Sequence, residues 1–256
     1  MPHTTAPPDP SRLPAVPAPA ARAAAALFGA LSRLRGARVF HPKGVGYSAV
    51  MAVEGAWGQC RGAPLLQGPG EHPAVVRFSY AVGLPDRWPD ALGLALRLTD
   101  LHGAGRHQDF LLITSGSGPL AQHLIFPGPR GFRGHHYSSL LPYRIGDQVR
   151  MVGARPAPRH NGVRRGALPD LIAAATREDV RFELCLGTLG GRWEPVAELR
   201  IGERLDDGFV ERLAFNPWHT GGGFRPAGPL MGLRRPAYAG SQRGRGADPG
   251  VPGPWE

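Results

Sequence analysis

Lysine is almost missing from this chain: Lys43 is the only one, and arginine supplies the rest of the 30 basic residues. Against 20 acidic residues that leaves a formal net charge of +10. Alanine, 37 glycines and 28 prolines accompany the arginines, so the excess reads as compositional bias rather than as a nucleic-acid surface. The aromatics fall inside strand-like segments instead of interleaving with a basic patch, which argues against a nucleic-acid binder. Cysteine is equally scarce. Cys60 and Cys185 have no zinc-ligand spacing and no disulfide framework around them, although the two could pair with each other. Cys185 sits in an apolar alternation and is expected as a buried free thiol, which suits a reducing, cytoplasmic setting. No run approaches the roughly 18 apolar residues of a membrane span. "AAAALFGAL" (23–31) is short and follows a proline-rich leader rather than a basic start, so no signal peptide is expected. G-x-S-x-G elbows and Walker loops are lacking as well.

What remains is strand signal. "AVVRFSYAV" (74–82), "LGLALRL" (92–98), "DFLLITS" (109–115), "VRFELCLG" (180–187) and "PVAELRIG" (195–202) alternate or run apolar between glycine and proline breaks. Several such strands predict an antiparallel barrel or sandwich. Residues 21–35 read as a helix with a small apolar face and 168–178 as a second helix with Asp170 near its start. The arginine-rich stretch 127–167 reads as loop. The chain thus divides into a Pro/Ala-rich, disordered leader (1–20), a single domain (21–245) and a loose tail (246–256).

Three stretches carry candidate chemistry. In "RVFHPKGVGYSAV" (38–50), His41 stands between a stiff proline and a glycine-rich turn, with Arg38 three positions earlier, and could serve as a general base. In "VVRFS", Arg77 and Ser79 project to one face of a strand. In "LRRPAYAGSQRGR" (233–245), Arg234, Tyr238, Ser241 and Arg245 fall within roughly 60° of one another on a helix. Nearby guanidinium groups favour the anionic form of a phenol, so Tyr238 could be a tyrosinate ligand for a metal. The plainer reading is a basic, solvated helix. His135 and His136 are adjacent and diverge on a strand, which makes a metal pair there improbable, and "GGG" (221–223) reads as a flexible turn.

In this order, the three stretches resemble the haem-binding core of the catalase family. "RVFHPKGVGYSA" is similar to the family's distal histidine stretch and "VVRFS" to the strand that supports the haem edge. "RRPAYAGSQRGR" is similar to the proximal signature R-x-F-x-Y-x-D-[AST]-[QEH]-x-x-R, and "ERLAFNPWHTGGG" (211–223) to the loop that approaches it. The resemblance spans residues 36–245. It implies an α+β chain with a catalase-like antiparallel β-barrel core and peripheral helices, without the wrapping and C-terminal helical regions of full catalases. It implies haem b, with Tyr238 as the iron ligand and Arg234 holding the phenolate. His41 becomes the distal acid–base, Ser79 its orienting hydroxyl, and Arg38, Arg77 and Arg245 the propionate partners.

The departures are specific. Pro236 replaces the signature's Phe and Gly240 its Asp, while Phe40 replaces a small aliphatic residue beside the histidine. "LLITSGSG" (111–118) replaces Asn-Asn-Thr, putting Thr114 or Ser115 near the missing asparagine. Loss of that donor implies weak catalase activity and better turnover of organic hydroperoxides, with an electron donor the residues do not identify. The alternatives are a hydroperoxide isomerase or dehydratase resembling allene oxide synthase, and a haem-binding or sensing protein without turnover. A monomer or homodimer is expected, since segments that help full catalases to form tetramers are missing.

Overall fold

The computed structural model describes residues 43–55, 57, 60–81, 83, 88–127, 131–158, 168–177 and 179–227. Ten strands run in chain order as β1 (Gly44–Val53), β2 (Gly70–Tyr80), β3 (Leu92–Leu98), β4 (Gln108–Ser115), β5 (His136–Ser138), β6 (Tyr143–Ile145), β7 (Gln148–Pro156), β8 (Arg181–Gly187), β9 (Trp193–Arg204) and β10 (Phe224–Pro226). Two helices join them, α1 (Leu168–Arg177) and α2 (Asp207–Arg212). β1 pairs antiparallel with both β2 and β9, and β7 with both β5 and β8. The circuit β1-β2-β3-β4-β5-β7-β8-β9 therefore closes on itself as an eight-stranded antiparallel barrel. β6 and β10 extend from the start of β7 as a small flap. Closure removes the free edges that an open sheet of this length would expose.

The side-chain period of two dictates what lies inside. β3 sends Leu92, Leu94, Leu96 and Leu98 inward, and its partner β2 sends Ala74, Val76, Phe78 and Tyr80 to meet them. Phe78 is the centre of the interior aromatic cluster, with Tyr47, Phe132 and Phe182 at ring separations of 6.2, 5.7 and 5.4 Å. α1 packs on β9 and adds Leu171 and Ala174 to this core, and the backbone N–H of Leu168 donates to the Tyr80 hydroxyl at 3.0 Å. No described helix is long and apolar enough to cross a membrane.

Four of the five predicted strands appear within two residues of their predicted start. The fifth, predicted over 74–82, begins four residues earlier as β2. The helix at 168–178 is α1. Two readings change. The segment 127–167 holds β5, β6 and β7; in β7 the inward Val152 and Ala154 alternate with outward Met151, Gly153 and Arg155, a pattern masked by the glycine and the arginines. "GVG" (44–46) is no turn but the start of β1. Its glycines are required because the Phe78 carbonyl oxygen, 2.5 Å from a Cβ on Gly44, and neighbouring side chains occupy the space above them. A Cβ on Gly46 would lie 2.4 Å from a methyl of Val210 on α2, and one on Gly44 would lie 2.8 Å from the guanidinium carbon of Arg77. The "GGG" turn is present, with Gly222 and Gly223 at positive φ. The predicted helices at 21–35 and 233–245 lie outside the described residues, as do the leader and the tail.

Candidate functional site on the outer barrel wall

Outward positions of β2 carry Val75, Arg77 and Ser79. Register places Arg77 in a rung with Gly46, Ala95 and Leu111, and Ser79 in the next rung with Gly44, Gly93, Ile113 and Ser138. The wall around the two polar residues is therefore floored by glycine and alanine and flanked by aliphatic groups. Arg77 is 2 % exposed and Ser79 3 %. The guanidinium lies across Gly44, and its Nη2 donates to Oε1 of Glu211 on α2 at 3.2 Å. α2 is held over β1 by Val210 on Gly46 and begins at Asp206, whose side chain accepts from the backbone N–H of Phe209 at 2.8 Å. Beyond Arg77 the wall is apolar: Val75, Leu213 and Phe215 are buried against Ala95, Leu111, Leu205 and Phe209.

One strand pair further along, Asp109 is fully buried and gathers four donors. Arg97 approaches side-on, Nε to Oδ1 at 2.8 Å and Nη2 to Oδ2 at 2.7 Å. Asn216 N–H reaches Oδ2 at 2.8 Å and His219 Nδ1 reaches it at 3.0 Å. The second hydrogen of Arg97 Nη2 goes to the carbonyl of Ala214 at 2.9 Å. Both hydrogens of that nitrogen are then committed, so His219 Nδ1 is the donor to Asp109. Burial pushes the Asp109 carboxyl upward, but the hydrogen bonds from Arg97 and His219 outweigh it and hold the group below its ordinary value. This hub ties the loop 214–219 to the wall.

Thr114 lies on the other face. The alternation of Phe110, Leu112 and Thr114 along β4, and the pairing of Thr114 with the buried Tyr137, turn it toward the barrel interior. Its hydroxyl accepts from Leu92 N–H at 3.1 Å and donates to the Phe126 carbonyl at 3.0 Å. Ser115, next in sequence, shares the outward parity of Ile113 and pairs with His136. Arg38, His41, Arg234, Tyr238 and Arg245 lie outside the described residues, so the structure brings together only Arg77 and Ser79 of the sequence-derived set. Sequence reading missed Glu211, Arg97, Asp109 and His219. The one available signal was charge: an arginine inside "LGLALRL" and an aspartate opening "DFLLITS".

His136 heads β5 with its ring 4.3 Å from Trp193, and the Trp193 Nε1–H donates to the Ser117 carbonyl at 3.1 Å. The His136 Nε2 is buried and has no hydrogen-bond partner among the described residues. Burial, aided by Arg155, pushes its pKa down to about 4 from 6.5. Above pH 6.5 neither folded nor unfolded chain carries this proton. Below it the unfolded chain gains the proton first, so stability falls until the folded pKa is reached. The loss is expected to total at most about 3 kcal/mol. His136→Phe should flatten the denaturant-measured stability between pH 6.5 and 4; an unchanged slope would place the acid sensitivity elsewhere. Cys60 and Cys185 are both buried free thiols, and burial pushes Cys185 up to about 12, leaving it unreactive.

The closed antiparallel barrel, with small helices outside it and a buried arginine and serine on its outer wall, is a catalase-like fold. A solved structure bears this out: the chain is similar to one described as "Structure of a bacterial catalase", with a TM-score of 0.57 and 17% sequence identity. The match covers 82% of this chain and 57% of that one, and at this identity the likeness is one of fold. No protein-family model and no curated protein matches the sequence.

Proposed function

We propose that this chain is a haem-dependent peroxidase that cleaves hydrogen peroxide or organic hydroperoxides. The observation that carries the reading is the pairing of Arg77 and Ser79 on adjacent rungs of the outer wall of a catalase-like barrel. The wall fits the group. A Cβ on Gly44 would fill the space that the guanidinium uses, so this glycine makes room in the wall for the cation that a propionate needs. Arg77 offers charge-assisted hydrogen bonds to a propionate, shared with Arg38 and Arg245. Tyr238 would hold the iron, with Arg234 keeping its oxygen anionic. Haem, when bound, supplies the redox chemistry of O–O cleavage. His41 takes the proton of the incoming hydroperoxide and returns it to the departing oxygen, and Ser79 orients the imidazole. Of the two hydroxyls near the family's asparagine position, Thr114 faces the interior and Ser115 has the outward parity; the Ser115 hydroxyl donates to the Gly116 carbonyl at 3.1 Å.

One observation favours organic over inorganic peroxide. The segment after β4 exposes Leu120, Leu124, Ile125 and Phe126, an apolar surface with no use for hydrogen peroxide. It also keeps open the second reading, a hydroperoxide isomerase or dehydratase, in which the same surface holds a lipid-like chain.

The deciding experiment is the visible spectrum of protein produced with haem precursor, compared with Tyr238→Phe. The expected result is a high-spin ferric, phenolate-type spectrum that the substitution alters. Failure to take up haem at full supplementation would end the reading, and with it every role assigned to haem-facing residues.

A further inference from the structure

We propose that Glu211 is an internal counter-ion that sets the affinity of this wall for a carboxylate-bearing ligand, by occupying the guanidinium such a ligand needs. The proposal rests on the haem reading above and concerns the propionate end of that site. Arg77 already holds a carboxylate, that of Glu211, at 3.2 Å. The two partners are placed very differently: the Arg77 side chain is 3 % exposed and that of Glu211 47 %. The Arg77 guanidinium is laid over Gly44, and the helix that carries Glu211 is seated on the neighbouring Gly46 by Val210. Glu211 stands in the last turn of a six-residue helix and is half exposed, so its carboxylate is the more accessible partner of the pair.

Two consequences follow. While no ligand is bound, Glu211 contributes counter-charge to a buried guanidinium. When a propionate arrives, it meets a cation already shared, and the two like charges at one guanidinium oppose each other. Glu211 is therefore an affinity-determining residue, acting through Arg77 rather than on the macrocycle itself. A ligand without a carboxylate at this point is indifferent to it.

The test is a titration of apoprotein followed by haem absorbance, with two probes: haem and its dimethyl ester, in which both propionates are masked. Glu211→Gln is expected to tighten haem about three- to fivefold, the upper part of the range of an exposed ion pair, and to leave the ester within about twofold. Arg77→Gln is expected to weaken haem and spare the ester. The glutamine is isosteric at a half-exposed position, and Glu211→Ser repeats the measurement on a second background, with a thermal melt to show that each variant is folded. Weaker haem binding by Glu211→Gln would make Glu211 a support of Arg77 and overturn the proposal. Equal tightening of both probes, or no change in either, would overturn it as well. If the wild type takes up neither probe, the haem reading itself falls and carries this inference down with it. Uptake by the wild type with no response to Glu211→Gln sinks the inference alone.

Discussion

Replacing Asp109 with asparagine is expected to destabilise the fold by about 3–5 kcal/mol, the cost of leaving a buried guanidinium without its counter-charge. Arg97 is 2 % exposed and Asp109 is fully buried, so water cannot take over the lost partner. The same carboxylate accepts from Asn216 and His219, so the substitution also loosens the loop 214–219 from the wall. Denaturant unfolding measures the loss. A change under about 1 kcal/mol would show that the Arg97–Asp109 pair contributes no more than an exposed ion pair does. The pH dependence has a definite sign. Because the folded carboxyl is held below its ordinary value of 3.8, its contribution is fully present above that pH and is lost as pH falls through the folded value. Asp109→Asn should abolish that acid limb and leave the His136 limb, between pH 6.5 and 4, in place. Replacing Arg97 and Asp109 together by apolar residues is expected to cost less than the single change, since neither charge is then stranded.

His41→Ala is expected to lower peroxide turnover by about 100- to 10,000-fold, the range a positioned acid–base contributes, while haem uptake stays near wild type. The separation matters because His41 is assigned to proton transfer and Tyr238 to iron binding. Measured as kcat/KM, the loss should appear with hydrogen peroxide and with an organic hydroperoxide alike, since both need the same proton moved. The wild type is expected to favour the organic substrate. Turnover that survives the substitution would remove His41 from the mechanism. A loss of haem together with turnover would recast it as part of the binding site.

Much of the barrel was legible because its strands alternate strictly. "LGLALRL" puts every leucine on one face, and the structure begins and ends β3 at the predicted residues. Arg77 and Ser79 were readable as one face of one strand for the same reason. The misreadings trace to glycines and, over 127–167, also to the run of arginines. β1 and β7 carry glycines where neighbours press on the wall, Arg77 over Gly44, Val210 over Gly46 and Trp193 over Gly153, and a local reading takes such glycines for turns. Thr114 and Ser115 could not be separated from composition, because one step along a strand reverses the face and only the pairing with Tyr137 says which way is in.

By itself, then, the sequence determined five of the strands (β2, β3, β4, β8 and β9), the shared face of Arg77 and Ser79, and the order of the stretches that resemble a haem site, since these follow from local periodicity and chain order. Only the tertiary structure decided which faces meet. Arg77 and Glu211 are 134 residues apart, and Asp109 and His219 are 110 apart. Neither pair has any local signature, because what brings them together is closure of the barrel and the return of α2 and its following loop across the outer wall.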